Sequence, residues 1–378
     1  GTELTSTRPG LSPERREFYG RLDQKQTAPL WEVLGRLVPP EPTPETVPAL
    51  WRYDEIPPLL MEAGRLITAK EAERRVLVLE NPGAKGQSRI TQSLYAGLQM
   101  ILPGEIAPCH RHAASALRFV IEGTGAYTAV AGERTTMQPG DFILTPSWTY
   151  HDHGNPGNGP VVWLDGLDVP IVNLFDTSFG ERHPGDMQPN TIEEGDALSR
   201  YGANMLPVDH VPASLSSPIF NYPYSRSREA LHQLHRNGPV HPCHGVKMRY
   251  VNPATGGYPM PTIGAFLQLL PRGFHGEPYK ATDATVYSVA EGRGRTRIGD
   301  QSFIWGPRDT QIIPRIIAQA RAGKLRRVGN GTNKASITYI DNAALAHLQA
   351  AEALMKNPQA SGRPYFIAQE EPVYLWEL

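Results

Sequence analysis

"FVIEGTGAYTAVAGERTTMQPGDFILTP", residues 119–146, decides the fold. Short runs rich in Val, Ile, Thr, Tyr and Phe are broken every few residues by Gly, Pro or Asp, which is the texture of consecutive hairpins. The same texture extends over "VLVLENPG" (76–83), "SLYAGLQMILPGE" (93–105) and "VVWLDGLD" (161–168). Strands so regularly spaced predict an all-β sandwich or barrel. A copy stands downstream: "YSVAEGRGRTRIGDQSFIWGPRDTQIIP" (287–314) overlays the first stretch to within one residue. Glu122-Gly123 falls on Glu291-Gly292, Asp141 on Asp309 and Pro146 on Pro314. An internal repeat of this length predicts two barrels of one type in one chain.

The flanks read differently. "PERREFYGRL" (13–22), "APLWEVLGRLV" (28–38) and "IPPLLMEAGRLITAKEAERR" (56–75) are helical in pattern and separated by a proline-rich turn. The expected organisation is therefore a helical segment over 1–75 and a first barrel over 76–180. A polar connection over 181–258 carries short helices such as "REALHQLHR", a second barrel covers 259–314, and an atypical tail covers 315–378.

Of the 378 residues, 40% are hydrophobic and 20% charged, the balance of a soluble globular protein. Lys and Arg number 37 against 38 Asp and Glu, so the footprint of a nucleic-acid or anionic-membrane binder is missing. No apolar run reaches the roughly 18 residues of a membrane helix, and the first residues carry no apolar signal core, so a cytoplasmic enzyme or binding protein is expected. Cys109 and Cys243 are too few for a disulfide framework.

Just upstream of the opening stretch lies "APCHRHAASALRF" (107–119). Residues i and i+2 share a strand face, so His110 and His112 present both imidazoles to one side, while Cys109 and Arg111 point to the other. His151 follows 39 residues after His112, far enough along for the chain to fold back. Two histidines on one strand and one on a later antiparallel strand can converge on an ion inside a small barrel. Arg118, six residues after His112 on the same strand parity, can also face inward and hold a carboxylate. The second copy has Tyr279, Ala281 and Gln319 at the three histidine positions and cannot build this site.

These residues resemble the cupin motifs. Gly104, His110, His112 and Gly123 match the first motif, and Gly140, Pro146, His151 and Asn155 the second. Trp148 stands in a glycine place, and Ala116 where most cupins have a glutamate ligand. Three histidines without the carboxylate are a mark of the bicupin ring-cleaving dioxygenases of gentisate, salicylate and 1-hydroxy-2-naphthoate. The chain resembles the gentisate 1,2-dioxygenases over about 14–309, through stretches such as "PLWEVLGRLV", "GDFILTPSWTYHDHGNPG", "SSPIFNYPYSRSREAL" and "PCHGVKMRYVNPATGGYPMPT".

The resemblance implies a mainly β bicupin, two jelly-roll barrels with N-terminal helices. It also implies Fe(II) on His110, His112 and His151, O2 and a small aromatic 2-hydroxy acid as partners, and a homo-oligomer, a tetramer. Ring opening of gentisate between the carboxyl-bearing and adjacent hydroxyl-bearing carbons would give maleylpyruvate. Arg74, Arg118, Tyr95, Gly97 and Gln99 match substrate-pocket positions, and His153 and Asp165 match supporting positions that serve the chemistry. Read from the residues alone, Arg118 can instead pair with Asp165, Tyr95 and Gln99 can be core, and only one of Arg74 and Arg75 need face the site. Salicylate or 1-hydroxy-2-naphthoate turnover, an impaired cupin that binds metal and an aromatic acid, and a zinc hydrolase-like site are the alternatives.

Beyond about Pro307 the pattern changes. The tail, about 306–378, resembles the C-terminal part of extended short-chain dehydrogenases of the 3β-hydroxysteroid type, and "NAALAHLQAAEALMK" (342–356) reads as helical. No Gly-rich dinucleotide loop and no Tyr-X-X-X-Lys pair accompany it, so hydride-transfer chemistry is not expected.

Overall fold

The structure, a computed structural model, describes residues 10–39, 43–279, 281–294 and 296, with short pieces at 303–305, 321–322, 334–335, 337–339 and 373–374. The chain divides into two compact units. The first comprises 1–224 with 251–263 and 280–288; the second comprises 225–250, 264–279 and 289–378.

The first unit is built on antiparallel strands in two sheets. They are β1 (Val76–Val78), β2 (Tyr95–Ile101), β3 (Ile106–His112), β4 (Ala116–Glu122), β5 (Tyr127–Val130), β6 (Glu133–Thr136), β7 (Phe142–Thr145), β8 (His151–Gly154), β9 (Val161–Leu167), β10 (Gly180–Arg182) and β11 (Asn221–Tyr222). One sheet runs β1-β2-β9-β4-β7-β11 and the other β10-β3-β8-β5-β6. Alternation sets which side chains meet. On β2 and β9, Leu98, Met100 and Val162 cluster with Leu60, and Tyr53, Ile56 and Leu164 are among the residues packed against them. The opposite parity, Tyr95, Gly97 and Gln99 on β2 and Trp163 and Asp165 on β9, is left for the other face.

Leu60 belongs to α3 (Pro57–Leu66), which among the described residues precedes the barrel together with the α-helices α1 (Pro13–Gln24), α2 (Leu30–Leu37) and α4 (Ala69–Ala72). The third helical stretch expected from sequence is thus split. Ile67 and Thr68 are extended, and Thr68 Oγ1 accepts from the Glu71 amide to start α4. A β-branched pair followed by a ready N-cap favours that break. Glu73, at φ 53°, then turns the chain so that neighbouring arginines part: Arg75 binds Glu105 at 2.7 Å, while Arg74 reaches Pro108 and His110.

The polar connection supplies more structure than its sequence suggests. Its β10 pairs with β3 and its β11 with β7, extending both sheets. Its helices include α6 (Asp196–Tyr201) and the 14-residue α7 (Tyr224–Asn237), longer than expected; α5 (Val169–Leu174) follows β9. His112 and Arg118, read above as sharing one strand, lie on different strands. The chain turns at 113–115, so His112 ends β3 in one sheet and Arg118 sits on β4 in the other.

In the second unit β12 (Val246–Arg249) and β13 (Phe266–Leu269) form an antiparallel pair, and β14 (Phe303–Trp305) pairs in parallel with β16 (Ile337–Tyr339). A further pair joins β15 (Lys334–Ala335) and β17 (Val373–Tyr374). Of the second barrel expected over 259–314, the described residues between β13 and β14 form no named strand. Residues 306–314, Gln319 and the helical reading of 342–356 lie outside the described residues. Among the described residues no helix is long and apolar enough to cross a membrane.

Candidate metal centre

The barrel brings His110, His112 and His151 together, with one ring nitrogen of each within 4.8 Å of the others. His110 and His112 come from the end of β3, and His151 opens β8 directly opposite His110 in the antiparallel register. A register shift between Ala107 and His110 adjusts how that end of the strand is aimed. Each Nδ1 faces a backbone carbonyl: Pro108 O at 3.2 Å, Ala114 O at 2.7 Å and Thr149 O at 3.0 Å. For His112 and His151, Nδ1–H donation to those carbonyls leaves Nε2 with a free lone pair, the tautomer a metal needs, whereas His110 Nδ1 also faces the Arg74 guanidinium.

Burial and nearby cations keep the rings neutral. Burial first, then Arg74, push His110 down to about 3. Burial also lowers His112, and burial with Arg118 and the other histidines holds His151 well below the ordinary range. Neutral imidazoles are ligands; imidazolium ions are not. The three histidines therefore fit a metal ion. The carboxylate of four-ligand cupins is absent, and buried Ala116 lines the site instead.

The outer face of β3 is clamped as well. Trp148 adopts a left-handed conformation (φ 58°), and its amide donates to His112 O at 2.8 Å. That conformation explains why glycine is the common residue in this place. Arg111, between the two ligands in sequence, places its guanidinium 4.4 Å from the Trp148 ring centre and 4.5 Å from that of Tyr150, while Nε bonds Glu181 at 2.8 Å. The cation–π contacts stabilise the outward residue and leave the histidines inward.

Beside the histidines is a pocket of about 450 Å³, lined among others by Arg74, Tyr95, Gln99, Ala116, Arg118 and Asp165. Arg74 donates to Pro108 O at 2.7 Å, lies 2.5 Å from His110 Nδ1, and is lowered to about 10 by burial and then by Arg118. Arg118 Nη1 donates to Thr145 Oγ1 at 2.7 Å. Its Nε lies 3.5 Å from Asp165 Oδ1 without forming a hydrogen bond. Asp165 is instead held by Trp163 Nε1 at 3.0 Å, and burial raises it to about 6 despite Arg118. Arg118 is therefore an ion-pair partner of Asp165 and also lines the pocket.

Two expected residues stand back from the pocket. His153 is fully buried behind His151, with ring centres 5.9 Å apart. Its Nδ1 is 2.5 Å from Thr128 Oγ1, and its Nε2 has no partner. Gly97 contributes space: a Cβ there would lie 2.4 Å from Val76 Cγ1 and 3.0 Å from Tyr95 Oη, so a side chain would displace the Tyr95 hydroxyl or β1. Sequence reasoning passed over Gln87, Ser88 and Arg89, which line the pocket from the loop before β2, and Val169, Pro170 and Asn173 of α5. Loop residues carry no periodicity to point inward, so only the fold reveals them.

Fold and site together define a cupin in which three histidines could hold a metal ion. The Cupin domain family matches residues 97–168. The chain is 59% identical over 307 residues to gentisate 1,2 dioxygenase 1 of Aquipseudomonas alcaligenes, covering 81% of this chain and 88% of that one. A crystal structure of salicylate 1,2-dioxygenase from Pseudoaminobacter salicylatoxidans, in adducts with gentisate, superposes with a TM-score of 0.63 at 34% identity, covering 70% of this chain and 74% of that one. The chain belongs to the gentisate 1,2-dioxygenase family.

Residues 300–378 match the 3-beta hydroxysteroid dehydrogenase/isomerase family. In addition, 28% of the chain is 43% identical to a 2-alkyl-3-oxoalkanoate reductase of Stenotrophomonas maltophilia, spanning 34% of that protein.

Proposed function

We propose that the chain is a ring-cleaving dioxygenase for gentisate, 2,5-dihydroxybenzoate, producing maleylpyruvate. The observation that carries this reading is a three-histidine centre without a carboxylate, set in a pocket whose walls carry Arg74 and Arg118. Iron, as Fe(II), is the metal we assign, and when bound it supplies electron transfer between an aromatic ring and dioxygen. Neutral imidazoles leave the ion's charge uncompensated, so an anionic chelating acid completes the site where a fixed carboxylate would repel it.

The chain's residues then have separable tasks. Arg118, ion-paired with Asp165, takes the substrate carboxylate; Arg74 adds positive potential beside His110 and neutralises the acid as it enters. Tyr95 and Gln99 bound the ring, and Gly97 keeps the Tyr95 side of the pocket open. Asp165 fixes Arg118 from behind. His153, neutral with Nε2 unpartnered behind His151, is a candidate proton donor or acceptor. We further assign the protein to the cytoplasm as a homo-oligomer, a tetramer.

Oxygen uptake by the Fe(II)-loaded protein with gentisate, salicylate and 1-hydroxy-2-naphthoate tests the proposal. One O2 consumed per gentisate, with maleylpyruvate appearing, is the expected result. The reductase-like match over 300–378 favours one competing reading, in which aromatic acids bind without turnover. Tight binding with no uptake would establish that reading instead.

A further inference from the structure

The centre has no carboxylate among its three candidate ligands, yet a buried carboxylate stands one peptide group behind it. Asp168, just after β9, is 3% exposed, and both of its oxygens accept hydrogen bonds. Oδ1 takes the Ser115 amide at 2.8 Å, and Oδ2 takes the Thr262 hydroxyl at 2.5 Å. The Asp168 amide faces Ser115 O in turn, at 3.4 Å.

Ser115 N and Ala114 O belong to one peptide group, and Ala114 O is the acceptor 2.7 Å from His112 Nδ1. A planar peptide points its N–H and C=O to opposite sides. Carboxylate, peptide and imidazole are therefore bonded in series, from Asp168 Oδ1 through Ser115 N–H and Ala114 C=O to His112 Nδ1–H. Hydrogen bonds in series polarise one another, and a ligand histidine backed by a carboxylate is both more basic and better oriented. His110 is backed differently: the equivalent amide, Cys109 N, donates to a neutral carbonyl, Asp186 O, at 2.8 Å, and the Nδ1–carbonyl distance there is 3.2 Å. The turn that carries the peptide is pinned from other directions as well. Ala113 N donates to Phe179 O at 2.9 Å, and Ser147 Oγ donates to Ala113 O at 2.6 Å.

We propose that Asp168 is a positioning residue of the metal centre, one that acts on His112 through the Ala114–Ser115 peptide and lends it the negative charge a ligating carboxylate would have brought. Asp168 does not line the pocket. Its charge therefore strengthens one ligand without standing where an anionic acid must bind. The proposal rests on the reading of the three histidines as metal ligands in a dioxygenase site.

Anaerobic titration of the metal-free protein with Fe(II), against a competing chelator, tests it. Asp168→Asn keeps the shape of the side chain, still accepts from the Ser115 amide and can donate to Thr262 Oγ1, but carries no charge. It is expected to weaken Fe(II) binding about tenfold, with the melting temperature of the metal-free protein unchanged. Asp168→Ala also removes the hydrogen bonds and is expected to cost up to about a hundredfold; if it fails to fold, the asparagine variant decides the matter. NMR of the Co(II)-loaded protein supplies a second readout: in Asp168→Asn the Nδ1 proton resonance of His112 should move while that of His151 stays. Wild-type Fe(II) affinity in Asp168→Asn, or a loss in which both proton resonances move alike, overturns the assignment. Failure of the dioxygenase reading is separate: the wild type would bind Fe(II) yet take up no oxygen with gentisate, while the asparagine comparison would still report on Asp168.

Discussion

At the scale of single residues, His112, Ala116 and Arg118 bear on different steps and separate in experiment. His112→Ala removes a ligand from a set of three. Iron content of the purified protein should fall sharply and oxygen uptake by more than about a hundredfold, as measured by metal analysis and an oxygen electrode. Ala116→Glu tests the missing carboxylate from the other side. The variant should still take up metal, yet bind gentisate at least about tenfold more weakly, because a fixed negative charge now competes with the acid. Arg118→Met leaves the metal in place and should raise KM about tenfold or more, since the proposed guanidinium–carboxylate contact is lost. Much of this was legible in sequence: the parity of His110 and His112, the later His151 and the alanine are positions on strands. Arg89 was not, because a loop residue's direction is set by distant partners, here Asn81 and Glu45.

At the scale of elements, the approach to β3 depends on one ion pair. Arg75 is 4% exposed in its side chain and Glu105 19%, and Glu105 also accepts from the Leu102 amide at 2.8 Å. Burial raises the Glu105 pKa, but Arg75 and that amide outweigh it and the net shift is downward. A depressed carboxylate contributes stability that is complete above its unfolded value, about 4.3, and is lost as pH falls through the folded value. Glu105→Gln should therefore cost about 2 kcal/mol at neutral pH and flatten the acid limb of the stability curve, as read by urea titration at several pH values. Sequence showed the hairpins because their alternation is local. It did not show β10 and β11, whose pairing with β3 and β7 depends on chain that returns from far away. Nor did it show the break at Thr68, where capping outweighs a continuous helical pattern.

At the scale of the whole molecule, all three ligands and the pocket lining lie in one of the two compact units. A ligand stabilises only what it binds in the folded state, by about 2.7 kcal/mol at a hundredfold excess over its dissociation constant. Where heating resolves separate transitions for the two units, added iron should raise one and leave the other unmoved; removal by a chelator should reverse the shift, as followed by calorimetry. The internal repeat falls largely outside the described residues. Within the copy the described residues include the strand β14, and Tyr279 and Ala281, equivalent to two of the histidines, are exposed and lie in no strand.

The carbonyls that hold each Nδ1 have a kinetic consequence. Three rings already oriented by Pro108, Ala114 and Thr149 need no refolding to receive an ion. Loading should be fast and reversible, and foreign divalent ions should exchange into the same claw, giving inert replicas of the protein with its architecture intact.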